Sequence, residues 1–143
     1  MTSPGRAMPT ERVLADFEGA WKIERVITPE VGASARFSGS ATWTAQSDDL
    51  AYAEVGTLYI DGAAPMQAER RYLWTPGLHV YFDDGRFFHT VPAAGGEASH
   101  WCDPDSYHVS YDFSDWPDFR ATWTVEGPRK SYVMTNHFRP TGR

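Results

Sequence analysis

The sequence predicts an all-β fold: an antiparallel up-and-down barrel of about ten strands with a short N-terminal helix. Three observations lead there. Apolar and polar residues alternate with period two along most of the chain beyond its first segment. Turn signals interrupt that alternation about every eight to twelve residues. Aromatic residues make up 15% of the chain, with 6 Trp and 7 Tyr, and such rings favour strands. Short links forbid parallel crossovers, so each strand pairs antiparallel with its successor. A flat meander of that many strands would expose two edges, which closure into a barrel removes. A β-sandwich is the competing architecture, but it requires long Greek-key connections that are not visible.

Residues 1–8 read as a flexible tail ahead of a single barrel domain over residues 9–143. "PTERVLADF" offers Pro9 and Thr10 as a helix start and places Val13, Leu14 and Phe17 on one stripe, with a stop near Gly19. "FEGAWKIERVI" then alternates Trp21, Ile23 and Arg25 against Lys22 and Glu24. "ARFSGSATWTA" alternates Phe37, Gly39, Ala41 and Trp43 against Arg36, Ser38, Ser40 and Thr42. Further strands follow as "LAYAEVGTLYI", "MQAERRYLW", "LHVYF", "RFFHTV", "EASHWC", "YHVSYDF", "RATWTV" and "SYVMTNHFRP". The turns between them are "IDGA", "TPG", "DDG", "PAAGG", "DPDS", "SDWPD" and "EGPRK".

A chain of 143 residues is long enough to bury a substantial core. Its 13 Lys plus Arg against 19 Asp plus Glu give a formal charge of -6, which repels phosphate backbones and anionic lipid surfaces. No nucleic-acid or membrane partner is therefore expected, and the chain is expected as a monomer or homodimer. Cys102, the lone cysteine, excludes an intramolecular disulfide and suits a reducing compartment. No apolar run is long enough for a membrane span, and the N-terminus lacks a signal-peptide pattern. The expectation is a cytoplasmic protein.

Register arithmetic assigns faces. A turn at Asp84 and Gly85 sets Val80 against His89 and Phe82 against Phe87. A turn at Ala94-Gly95 or Gly95-Gly96 sets His89 against His100 or Cys102. The "DPDS" turn, with Pro104 at its first central position, pairs Cys102 with Tyr107, His100 with Val109, and Ala98 with Tyr111. The interior face then carries Val80, Phe82, Phe87, His89, Val91, His100, Cys102, Tyr107, Val109 and Tyr111. Arg86, Thr90, Ser99, His108, Ser110 and Asp112 face outward. Upstream, Tyr52, Glu54, Gly56 and Leu58 share the face of Phe37 and Trp43. Setting Ile60 against Met66 adds Arg70, Tyr72 and Trp74, provided that one odd residue near Pro76-Gly77 joins the two halves. Glu54 and Arg70 would then pair inside, because a lone buried charge is costly.

These inward residues define the candidate ligand-binding set: Glu54, Arg70, Tyr72, Trp74, His89, His100, Cys102, Tyr107 and Tyr111. Arg70-x-Tyr72 can grip a carboxylate. Two imidazoles and a thiolate are acceptable metal ligands, yet the spacing of His89, His100 and Cys102 matches no established metal motif. Hydrogen bonding with Tyr107, Tyr111 and cavity water is the plainer role. No metal site is assigned and the cofactor is left unknown. Asp84, Asp103 and Asp105 serve turns, and Arg129 and Lys130 form a solvated rim.

"DFEGAWKIERVI", "EVGTL", "ERRYLW", "DGRFFH", "HWCDPDSY" and "VEGPRKSY", between Asp16 and Arg139, resemble a family of short bacterial proteins known only as a domain of unknown function. That resemblance implies a lipocalin- or calycin-like barrel and brings no established activity. Gly19-x-Trp21 also resembles the lipocalin signature, which implies an Arg from the last strand lying across the Trp; Arg139 is the candidate. The likeness to the haem-binding barrel nitrobindin extends only to strand count, because "GxWxGxG" is absent after Trp21. The expected function is binding of a small, partly apolar molecule, aromatic or carboxylated. The alternatives are an isomerase or hydrolase using an interior His as general acid or base, a haem or metal carrier, and an interaction module acting through its outer surface.

Overall fold

The computed structural model describes residues 11–141. The tail expected over residues 1–8 and the helix start expected at Pro9 and Thr10 lie outside the described residues. The expected helix is a single 3-10 turn, Leu14–Phe17. Asp16 accepts the Val13 N–H at 2.8 Å and holds the turn's entrance. At Gly19 a φ of 129° redirects the chain into the first strand, a backbone angle open mainly to glycine.

Ten strands follow: β1 (Gly19–Pro29), β2 (Ala35–Gln46), β3 (Asp49–Ile60), β4 (Met66–Thr75), β5 (His79–Phe82), β6 (Phe87–Thr90), β7 (Gly96–Cys102), β8 (Asp105–Asp112), β9 (Phe119–Glu126) and β10 (Ser131–Pro140). They form one antiparallel sheet in the order β6-β5-β4-β3-β2-β1-β10-β9-β8-β7. The first and last strands pair, so the sheet curls into a nearly closed barrel, with β6 and β7 left as its two edges. Its two ends, β6 and β7, meet along a seam bridged by side chains. There Arg86 Nη1 donates to the Cys102 sulfur at 3.4 Å, and the Phe87 and His100 rings lie 5.7 Å apart.

The seam corrects one expectation: His89 pairs with neither His100 nor Cys102 through a β6–β7 hairpin. The connecting segment is tied elsewhere. The Val91 N–H donates to the Leu78 carbonyl at 2.9 Å, and the Arg12 N–H donates to the Ala93 carbonyl at 2.7 Å. Anchored at these two points, the segment turns at residues 92–95, where the Gly95 N–H donates to the Pro92 carbonyl at 2.9 Å, without bringing β6 and β7 into ladder pairing.

Three other registers are instructive. In β7–β8 the partners are Cys102 with Asp105, His100 with Tyr107 and Ala98 with Val109, each two places from expectation because the turn is tighter. In β3–β4, Leu58 rather than Ile60 meets Met66. A slip of two preserves every face. The odd residue between the halves is real, and it comes from the three-residue link between Thr75 and His79, where Gly77 has a φ of 87° and Leu78 one of 61°.

The third register overturns an assignment. Val80 pairs with His89, but a bulge then places Tyr81 against Phe87. Phe87 is consequently 43% exposed and Phe88 is fully buried, at 0%. The extra residue swings both Phe88 and His89 inward, where alternation would allow only one.

At one end of the barrel, Phe17 inserts among Trp43, Trp74, Phe113, Trp116 and Phe119, with ring centroids between 5.0 and 6.1 Å away. Phe119 stacks on Phe138 at 4.6 Å. Tilted and edge-on pairs of this kind add about 0.5–1.5 kcal/mol each beyond area burial. Trp21 donates its indole N–H to the Phe17 carbonyl at 2.9 Å and so fixes the plug. Arg139 does not lie across Trp21: it sits opposite Lys22 in the β1–β10 register and is exposed on the outer face. The cation over this end is Arg12, 4.4 Å from the Trp116 ring.

Candidate functional site

Above the aromatic plug the inward side chains change character. Arg25, on β1, reaches across β2 to Glu54, on β3, with Nη1 to Oε1 at 2.7 Å and Nη2 to Oε2 at 2.9 Å. On the inner face of strand β2 only Gly39 lies between Phe37, opposite Arg25, and Ala41, opposite Glu54, so nothing taller than the Ala41 methyl blocks the diagonal. Arg25 Nε donates to Asn136 Oδ1, and Asn136 Nδ2 donates to the Ala121 carbonyl. The Tyr52 hydroxyl donates to Glu54. Glu54 is 1% exposed, and every oxygen of this chain of groups has a partner, as a buried ion pair requires. Burial, followed by the Glu54 charge, pushes the Tyr52 phenol well above its ordinary range, so it stays protonated.

Next to this network lies a cavity of about 40 Å³, lined by Arg25, Trp43, Tyr52, Glu54, Tyr72, Trp74, Val80, Phe88, His89, Tyr111, Phe119, Ala121, Trp123, Asn136 and Phe138. On its β5–β6 side, His89 Nε2 lies 2.9 Å from the Tyr111 hydroxyl. Desolvation, with a smaller push from His100, lowers the His89 pKa to about 3, so the ring is neutral at ordinary pH. Burial raises the Tyr111 phenol. Two side-chain nitrogens of the lining residues, Trp43 Nε1 and His89 Nδ1, are buried with no hydrogen-bond partner among the described residues. Natively buried polar atoms are rarely left so.

The cavity is capped by Tyr72, Phe82, Phe88, Tyr107 and Trp123. Phe88 is the hub, with its ring 4.5 Å from Phe82, 5.1 Å from Trp123 and 5.2 Å from Tyr107. Arg70 lies over this layer toward the open end, 5.9 Å from the Trp123 ring, with its side chain 36% exposed. Its polar contacts are long: 3.4 Å to the Tyr72 hydroxyl and 4.0 Å to Glu54. Its fork is thus only loosely engaged.

Of the sequence-predicted set, the structure brings Glu54, Tyr72, Trp74, His89 and Tyr111 to the cavity wall. Arg70 stands above it. Tyr107 belongs to the cap, where Lys130 covers it from the rim at 5.7 Å while pairing with Asp105 at 3.2 Å. His100 and Cys102 lie at the seam, half-buried, apart from the cavity. His89, His100 and Cys102 therefore do not converge, and among the described residues no group of three or more His, Cys, Asp or Glu is placed to hold a metal ion. The expected Glu54–Arg70 pair is present only as a 4.0 Å contact; the close, bidentate partner of Glu54 is Arg25. Arg25 and Asn136 were missed as site residues. Alternation had put Arg25 inward, and the open diagonal over Gly39 was the signal for its partner.

No helix among the described residues is long and apolar enough to cross a membrane. No curated protein matches the chain. Among solved structures, the S-type phycobiliprotein lyase CPES from Guillardia theta is similar in fold, with a TM-score of 0.62 at 8% identity over 91% of this chain and 92% of that one. At that identity the likeness shows the architecture, a lipocalin-like barrel, and nothing of the activity. The model of a family of unknown function, DUF6314, matches residues 17–140, and the chain belongs to that family.

Proposed function

We propose that this barrel is a receptor for a small, partly apolar molecule, aromatic or carboxylated, held between the polar network and the aromatic cap. The observation that carries this reading is the cavity with two orphaned nitrogens, Trp43 Nε1 and His89 Nδ1, on its lining residues. Drug-sized ligands occupy roughly 300–1,000 Å³, far more than the 40 Å³ present. A ligand therefore places only its tip in the cavity and displaces the cap. The β5–β6 hairpin carries Phe82 and Phe88 and has an unpaired outer edge at β6, which makes it the wall least tied to the barrel. Arg70, loosely engaged at the mouth, supplies a fork for a carboxylate on the outer part of the ligand. Cytoplasmic residence is part of the proposal and rests on the unpaired Cys102.

An isomerase or hydrolase using an interior histidine is the weaker reading. A His89 pKa of about 3 makes the ring a poor base and leaves it without the acidic imidazolium proton near neutrality. Native mass spectrometry of the full chain purified from its own cells tests the receptor reading. A retained small molecule, lost in Phe88→Trp and weakened in Arg70→Ala, is the expected result. A bare mass, together with no uptake from a panel of aromatic and aliphatic carboxylates, would refute it.

A further inference from the structure

Which hydrogens the orphaned nitrogens carry decides what they can bind, and counting settles it. The Tyr111 hydroxyl has one proton, and its hydrogen-bond partner among the described residues is His89 Nε2. Suppose His89 carried its proton on Nε2 and donated to Tyr111. The phenol proton would then have no acceptor and Nδ1 would be an unused lone pair, leaving two buried groups unsatisfied. If instead Tyr111 donates to Nε2, the imidazole proton sits on Nδ1 and a single group is unsatisfied. Each unsatisfied buried group is costly, so the second arrangement prevails. His89 Nδ1 is then a donor, as the Trp43 indole nitrogen always is.

The oxygens lining the cavity are already used. Tyr52 bonds to Glu54, Tyr72 receives Arg70, Asn136 receives Arg25, and both Glu54 oxygens are engaged. What remains unfilled among the described lining residues is donors alone: the Trp43 and His89 N–H groups, and the hydroxyl proton of Tyr72, whose oxygen already receives Arg70. Within the lining, Arg25 is neutralised by Glu54 and both His89 and the phenols are neutral; a further cation, Arg70, stands above the cap, its Nε 4.0 Å from Glu54 Oε1.

From this geometry we propose that the cavity is a subsite for a neutral carbonyl oxygen, that of a ketone, aldehyde, ester or amide, bound through the Trp43 Nε1–H and the His89 Nδ1–H. This rests on the receptor reading and names the chemistry of the ligand's buried end. A carbonyl offers two lone pairs and no proton, which matches two donors. A carboxylate would bring a second anion beside Glu54, with the neutral donors of the wall to hold it and the nearest further cation, Arg70, outside the lining. A hydrocarbon would leave both donors orphaned. The volume suits a group of this size: a water needs roughly 10–15 Å³ of such space and the cavity offers about 40 Å³, enough for the carbonyl end of a ligand, while its flanking carbons press on the cap.

The test uses three molecules of nearly one shape: acetone, acetate, and 2-methylpropene, in which a CH2 replaces the ketone oxygen. They are titrated into uniformly 15N-labelled full-length protein, with the Trp43 indole and His89 ring signals assigned by through-bond experiments on the wild type. The expected result is His89 protonated on Nδ1, and saturable shifts of both N–H signals with acetone. Acetone should bind at least about tenfold tighter than either isostere, the ratio expected for a buried donor left unpaired. His89→Phe should weaken acetone by about the same factor. The subsite is overturned by a His89 proton found on Nε2, by acetate or 2-methylpropene matching acetone, or by acetone binding elsewhere without moving either signal. If none of the three binds and both N–H protons show contacts to a long-lived water, an ordered water is the occupant and the subsite falls. The receptor reading then stands or falls separately, on the mass-spectrometric result.

Discussion

The Arg25–Glu54 pair makes the most quantitative prediction about this barrel. Replacing Arg25 by Met keeps an unbranched apolar stem and removes three donors at once: one to Asn136 and two to Glu54. Glu54 is left at 1% exposure with only Tyr52 bonded to it. Breaking a buried ion pair by removing one partner costs about 3–5 kcal/mol. Arg70 sets where in that range the result falls. Its Nε is 4.0 Å from Glu54 Oε1, near enough to close in when Arg25 is gone. The expected loss is therefore at the low end, about 3 kcal/mol, or roughly 9 °C in Tm for a domain of this size.

Urea unfolding followed by tryptophan fluorescence measures it, with the slope m held as a check on two-state behaviour. Two further variants make the logic strict. Arg25→Met with Arg70→Met removes the reserve cation and should cost more than the two single losses added together. Arg25→Met with Glu54→Leu removes both charges and should recover most of the stability, because an apolar pair needs no counter-charge. A loss under about 1 kcal/mol for Arg25→Met, the range of exposed pairs, or a charge-free double variant worse than the single one, would show that the pair is not the buried, mutually dependent unit described.

Three other outcomes are expected. Phe88→Ala should cost about 3–5 kcal/mol while Phe87→Ala costs under about 1; equal losses in denaturant unfolding would contradict the bulge. Gly56→Ala should destabilise by about 2 kcal/mol or more, since its Cβ would fall 2.3 Å from the Ser38 carbonyl oxygen and 2.8 Å from the Phe37 ring, and a neutral result would mean that β2 and β3 do not approach as closely as the structure shows. Because His89 falls from 6.5 to about 3 on folding, the unfolded chain binds a proton that the folded one refuses. Stability then drops as pH falls below about 6.5 and levels off near 3, by about 3 kcal/mol between pH 7 and pH 4 from this residue. His89→Gln should flatten that part of the pH–stability curve, and an unchanged slope would place the acid sensitivity elsewhere.

The arithmetic of two explains how much of this barrel the sequence made legible. Every error of an even number of residues was harmless. The β7–β8 register slipped by two and the β3–β4 register by two, yet Tyr107, Tyr111, Glu54 and Tyr72 all kept their inward faces, because side chains alternate with that period. Errors of one were not harmless. "RFFHTV" is compatible with either Phe inward; the choice falls to Phe88 because the Phe82 N–H bonds the Arg86 carbonyl across a three-residue turn, one residue longer than the two-residue turn read from the sequence, and the bulge beside Tyr81 takes up the difference. The seam depends on a longer-range contact, that of the Arg12 N–H with the Ala93 carbonyl, which a strand-by-strand reading does not contain.

Side-chain partnership was harder still to read than face. Alternation put Arg25, Glu54 and Arg70 all inside, and the nearest cross-strand neighbour of Glu54 is indeed Arg70. The bidentate bond nevertheless goes two strands away to Arg25. An arginine stem spans that distance when the strand between is bare, and Gly39 and Ala41 make it so. The pairing thus follows from what is missing on β2 as much as from the charges. Once Arg25 and Glu54 satisfy each other, neither is available to a ligand. The unfilled hydrogen-bonding capacity of the interior shifts to a tryptophan and a neutral histidine, and a barrel whose most conspicuous interior residues are charged is left with a cavity that asks for an uncharged acceptor.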